Sequence, residues 1–121
     1  MADHTLNLTL TPHQFYVLLA LTDKNLHAYG IRNQVAYDSG GTLTIATGTL
    51  YHLLRRLVLE GLIQSIELTP GNDRGGTISA RYTLTNYGRY RLESEIKRLE
   101  HAAAQAHLKL GHKFGALNWR T

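Results

Sequence analysis

Apolar positions recur at helical spacing near the N-terminus, where Phe15, Leu18 and Leu19 follow Thr11, Pro12 and Gln14. Thr before a first-turn Pro, with Gln three residues later, is a helix-start signal in which the two side chains satisfy each other's backbone N–H groups. The pattern predicts a first helix ending near Thr22. A second helix is predicted over 28–37, with Ala28, Ile31 and Val35 on its buried side. Ser39, Gly40 and Gly41 should end it, because glycine enters a left-handed stop without a side-chain clash. The strongest pattern is the third, over 47–60. There Leu50, Leu53, Leu54, Leu57 and Val58 form one apolar stripe, and His52, Arg55, Arg56 and Leu59 occupy the opposite side. Gly61 stops it.

The period then changes from helix to strand. Two strands are predicted over 62–68 and 77–84. The second alternates Ile78, Ala80, Tyr82 and Leu84 with Ser79, Arg81 and Thr83. Residues 69–76 combine Pro, Asn, Asp and three glycines, which makes them the long tip of a hairpin. Thr85 is placed to cap a last helix from Asn86. Its apolar residues Leu92, Ile96, Leu99, Ala103, Ala106 and Leu110 are spaced alternately by four and three. A seam of this kind packs along another helix, so a second copy of the chain is the expected partner. The predicted organisation is therefore 1–85 for a compact domain, 86–110 for a dimerisation helix and 111–121 for a tail.

Composition narrows the chemistry. The 121 residues suit one domain, and the absence of cysteine removes disulfides, thiolate metal sites and thiol nucleophiles. The longest apolar run, Phe15 to Leu21, is far short of the roughly 20 residues that span a bilayer. No export signal opens the chain, so a cytoplasmic location without membrane contact is expected. The seven histidines form no HxxxH or HExxH pair, and no nucleophile, base and orienting group can be assembled from the spacing. No enzyme activity, metal or cofactor is expected. Charge is informative through its placement. Residues 1–54 hold two basic and three acidic side chains, whereas 55–121 hold eleven basic and six acidic ones, within a net charge of +4. The cationic half covers the third helix, the hairpin and the last helix, which suits a polyanionic partner.

Three helices followed by a hairpin is the order of a winged helix-turn-helix, so the fold class expected is α+β, mostly helical, with a C-terminal dimerisation helix. In that fold the third helix enters the major groove of double-stranded DNA and the hairpin reaches the flanking backbone. Such a helix needs an apolar back and a start without bulky side chains, as Thr47, Gly48 and Thr49 provide.

The motifs are also specific. His27-Ala28-Tyr29-Gly30-Ile31, the run Gly48-Thr49-Leu50-Tyr51 with Leu54-Arg55-Arg56-Leu57 and Glu60-Gly61-Leu62-Ile63, and Arg81-Tyr82-Thr83-Leu84-Thr85 with Gly88 resemble the PadR family of transcriptional regulators over about 12–110. The resemblance implies a homodimeric winged-helix DNA binder, usually a repressor, in which the last helix dimerises and some members answer to small aromatic molecules. The single short final helix resembles the compact subfamily. The chain departs from the family pattern at Ala28, Gly30 and His52, the last standing where proline is usual.

The expected DNA contacts are Thr47, Thr49, Tyr51, His52, Arg55, Arg56, Arg74 and Arg81. Tyr51 is expected to bond phosphate, only one of Arg55 and Arg56 is expected to touch DNA, and Thr47 and Arg81 have the alternative roles of N-cap and pairing within the sheet. Tyr29 and Tyr82 are expected to pack. Leu92, Ile96, Leu99, Ala103, Ala106 and Leu110 form the expected dimer seam. Phe15, Leu18, Phe114 and Trp119 are the candidate lining for a small aromatic effector. The functional expectation is a homodimeric repressor at a pseudo-palindromic operator with half-sites about one DNA turn apart. The alternatives are an architectural DNA binder without operator specificity and a winged-helix protein-interaction module.

Overall fold

The computed structural model describes residues 9–70 and 78–111, the stretches 67–70 and 78–79 by backbone alone. In chain order these form α1 (Pro12–Ala20), β1 (Leu26–His27), α2 (Ala28–Asp38), α3 (Thr47–Leu59), β2 (Ile63–Pro70), β3 (Ile78–Leu84) and α4 (Asn86–Leu110). Mostly helical, with a small antiparallel sheet, this is the expected fold class.

Local chemistry sets the element ends. At α1 the N–H of Gln14 donates to Thr11 Oγ1 at 3.2 Å, and the Thr11 N–H donates to Gln14 Oε1 at 2.9 Å. The capping box is thus formed as the sequence predicts, although α1 stops two residues earlier than expected. α2 buries Ala28, Ile31 and Val35, the expected side. Past its end, Gly40 and Gly41 have φ of 67° and 82°. There the buried Ser39 hydroxyl accepts from the Leu43 N–H at 3.0 Å, so the turn into α3 satisfies its own polar groups.

The sheet has the order β1-β3-β2. β1 pairs Leu26 with Tyr82 and His27 with Arg81. It was not visible in the sequence, because two residues are too few to show alternation. Between β2 and β3 the register shifts at Ser65 and Glu67. Ile66 is the extra residue of this bulge and is exposed.

One apolar core joins every helix. Leu50, Leu54 and Leu57 of α3 are buried with Val17 and Leu18 of α1, Ile31 and Val35 of α2, Ile45, Leu62 and Ile63, and Leu92 of α4. Tyr82, Leu84 and Ile96 pack against its edge. Val58, expected in the apolar stripe, is exposed instead. It lies beside Leu57 at the margin of the stripe, where the groove toward the hairpin leaves it open.

The start of α4 is built into this core. Thr85 accepts the Gly88 N–H at 2.9 Å and sends its own hydroxyl to the carbonyls of Gly61 and Leu62, at 2.6 and 3.0 Å. A Cβ on Gly88 would lie 2.0 Å from the Leu62 carbonyl oxygen. Backbone meets backbone here, and only glycine permits it. Two turns later Glu95, 3% exposed, accepts the Leu10 N–H at 3.3 Å and pairs with Arg98. Leu92 and Ile96, expected at a dimer seam, therefore pack on their own domain, because α4 first uses its apolar face to close the core. From Lys97 to Leu110 the helix is exposed except at His107, and Leu99 and Leu110 are 42% and 68% exposed.

Two predictions follow from these contacts. Gly88→Ala forces the Leu62 backbone away, and urea unfolding should show a loss of about 3 kcal/mol or more. The Glu95 carboxyl is held below its ordinary value of 4.5 chiefly by the Arg98 hydrogen bond, with help from the Leu10 N–H and opposition from burial. Its stabilisation is therefore fully present above pH 4.5 and disappears as pH falls through the lower folded-state value. Glu95→Gln should cost about 1–3 kcal/mol at pH 7, and the gap to the wild type should close as unfolding is measured toward pH 3.

Candidate nucleic-acid interface

α3 presents two chemically different sides. Leu50, Leu54 and Leu57 face the core, while Thr47, Gly48, Thr49, Tyr51, His52, Arg55, Arg56 and Leu59 are exposed. The helix contains no carboxylate of its own.

The first turn of α3 is open. Its N-cap is Ala46, which has no capping side chain, so Thr47 is the first helical residue and not the cap. Free N–H groups at a helix start attract anions, and no acidic side chain competes for them in this turn. α2 begins in the same way, with an N-cap at His27 that makes no side-chain cap bond and no acidic residue in its first turn. α1 and α4 are instead closed by Thr11 and Thr85.

The two arginines of α3 differ. Arg56 Nη2 is 3.2 Å from Glu60 Oε2, an ion pair one turn along. Arg55 has no such partner among the described residues, and it borders a groove between α3 and the hairpin with Tyr51, Val58, Ser65 and Tyr82. The Tyr82 phenol is raised above its ordinary value by burial and, second, by neighbouring Tyr51, so it stays protonated and available as a donor. Tyr51 itself is 52% exposed at the rim.

Arg81 is half-buried on β3, in register with His27 on one side and Glu67 on the other, and is engaged within the fold. Arg74, Phe114 and Trp119 lie outside the described residues. Leu18 is fully buried, so it has no surface to offer an effector. Phe15 is half-buried, packs edge to face with Tyr16 at 5.2 Å and lies against the core.

Tyr29 departs from expectation. It is 70% exposed rather than packed, on the outer side of α2 with Arg32 and Asn33. Helical phase contained the signal, since Tyr29 lies away from the stripe of Ala28, Ile31 and Val35. Tyr87 and Tyr90 form another partly exposed pair, stacked at 6.5 Å on α4, with Arg91 over the Tyr87 ring. Among the described residues no group of three histidine or acidic side chains gathers into a metal site, and no helix is long and apolar enough to cross a membrane.

Comparison with known proteins agrees with this layout. Solved structures with the same fold include a PadR family transcription regulator from Clostridium difficile, 26% identical, with a TM-score of 0.60, covering 80% of this chain and 95% of that one. A PadR-like transcription factor from Bacteroides fragilis is 25% identical, with a TM-score of 0.60 and coverage of 78% and 88%. Bacillus subtilis PadR, solved in complex with operator DNA, is 22% identical with a TM-score of 0.61, and the match covers 72% of this chain and 47% of that one. No curated protein matches the sequence. A family profile, the Transcriptional regulator PadR-like family, matches residues 17–94, from the interior of α1 to the buried part of α4. Over those residues lie the core, the open face of α3 and the sheet beside it, and this chain belongs to the PadR-like family of transcriptional regulators.

Proposed function

We propose that this DNA-binding transcriptional regulator acts in the cytoplasm as a homodimeric repressor of a pseudo-palindromic operator. The observation that carries the reading is α3, whose leucines anchor it in the core while its outer side offers an uncapped start, hydroxyls, His52 and a cation. A helix presented in this way suits the major groove, and its open N-terminus suits a phosphate at the groove edge. Thr47, Thr49 and Tyr51 are assigned to the backbone on either side of α3. Arg74 is assigned to the flanking phosphate from the hairpin tip. Arg56 and Arg81 are assigned supporting roles, since each already has work within the fold.

The dimer rests on the far half of α4. The helix is 25 residues long, about 37 Å, and its first turns close the core. Leu99, Ala103, Ala106 and Leu110 continue the same apolar side beyond it and are exposed. Pairing these residues with those of a second copy would remove them from water and set two α3 helices at a fixed separation. A domain that presents one reading helix reads one half-site, and the twofold arrangement doubles both contacts and charge.

Two measurements test this reading. Leu99→Glu and Ala103→Glu should keep a cooperative thermal transition, at a lower temperature because the stabilisation by dimer association is lost, and shift the sedimenting species from twice the chain mass to the chain mass of 13.6 kDa. Operator affinity should fall by at least about tenfold, because the second half-site then binds independently. Titration of operator binding against salt should give a steep slope, and Arg74→Ala should make it shallower by about two units per dimer, since each phosphate contact contributes about 0.9. A dimer unaffected by both glutamates, or a slope unaffected by Arg74→Ala, would remove the corresponding assignment.

A further inference from the structure

The exposed side of α3 is not uniform. Gly48, His52, Arg55 and Leu59 recur at i, i+4, i+7 and i+11, the spacing of one helix stripe. Leu50, Leu54 and Leu57 hold the buried stripe, and His52 lies about 200° around the helix from Leu50, so the first stripe is the outermost line of the helix. Tyr51 lies only about 100° around the helix from Leu50, on the flank that faces the hairpin, and it shares the groove beside Tyr82 with Arg55, which stands further out. Arg56 is turned to the other flank and held by Glu60. Gly48 has no side chain and nothing near its Cβ position, so the helix start can approach a surface closely. Leu59 carries no hydrogen-bonding group. Two side chains on the outermost line can therefore discriminate bases through hydrogen bonds.

From this geometry we infer that Arg55 and His52 are the base-reading pair of α3, Arg55 specifying a guanine and His52 a purine one or two base pairs away. The inference rests on the DNA-binding reading above and deepens it. A guanidinium matches the O6 and N7 acceptors of guanine with two parallel N–H groups, a fit that no other base edge offers in the major groove. Arg55 is suited to this because it has no ion-pair or hydrogen-bond partner among the described residues to draw it away. The imidazole of His52 carries an N–H that can donate to a purine N7. A guanidinium has donors and no acceptor, so Arg55 reads only acceptor groups on a base edge. Residues 52 and 55 are separated by about 4.5 Å along the helix axis, which is comparable with the rise of one base pair.

The pair separates two kinds of contact that the charge distribution leaves merged. Contacts at the open helix start and the hairpin hold the protein to any duplex. Arg55 and His52 distinguish one duplex from another.

The test is selection of bound sequences from random duplex DNA by the full-length protein at fixed salt, run in parallel with His52→Ala, Arg55→Lys and Arg55→Ala. Both sites are exposed and make no hydrogen bond among the described residues, and the folded state of each variant is checked by its thermal transition. The wild type is expected to select a guanine and a purine within two base pairs of each other in each half-site. Arg55→Lys keeps the charge but loses the two-pronged geometry. It should lower the guanine preference about five- to hundredfold with the salt slope unchanged, and Arg55→Ala should lower it at least as far. His52→Ala should relax the purine position alone. A consensus that survives Arg55→Lys and His52→Ala unaltered overturns the assignment while leaving DNA binding intact. Failure of the wild type to select any sequence overturns the assignment together with the operator-specific reading on which it rests.

Discussion

Burial of Leu50, Leu54 and Leu57 is the constraint from which the arrangement of this protein follows. These three side chains are 0–2% exposed, and a buried leucine is worth about 1.5–3 kcal/mol over an exposed one. Rotating α3 about its axis would bring that stripe into water and drive His52 and Arg55 into the apolar core, where burying a charge is costly. The helix therefore has one rotational setting. The outward direction of each polar residue on α3 is fixed by the leucines behind it, so the apolar core sets which polar groups α3 presents.

The same core limits what α4 can do. Its first turns are held by backbone contact, Gly88 against the Leu62 carbonyl and the Thr85 hydroxyl against Gly61 and Leu62, so α4 leaves the end of α3 and the start of β2 at a set angle. Glu95 adds a second fixed point by binding the Leu10 N–H ahead of α1. Between these two points the helix is part of the domain. Beyond them its apolar side continues without cover, and the angle set at Gly88 becomes the angle at which a second copy would be met.

The helices differ in how their starts are closed. Thr11 and Thr85 close the starts of α1 and α4 with their own oxygens. α2 and α3 begin at His27 and Ala46 without a side-chain cap. A missing cap costs about 1 kcal/mol. At α3 the cost coincides with an exposed first turn free of acid, where an anion can supply the missing acceptor.

Much of this was legible in the chain. Local signals, namely the Thr-Pro-x-Gln helix start, the paired glycines after Ser39 and the leucine spacing of α3, depend on residues within one or two turns, and the structure follows each of them. Alternation in 78–84 identified the strand, and the motifs identified the family. The sequence could not show β1, whose two residues acquire strand geometry only by pairing with Tyr82 and Arg81. Nor could it divide the seam of α4, because Leu92 and Leu99 have the same chemistry and differ only in how far the rest of the fold extends along the helix. Exposure of Val58 and the diversion of Arg56 to Glu60 were decided at the tertiary level for the same reason. Periodicity determines which side of an element is apolar, whereas packing between distant elements determines how much of that side is covered and which cations remain for a partner.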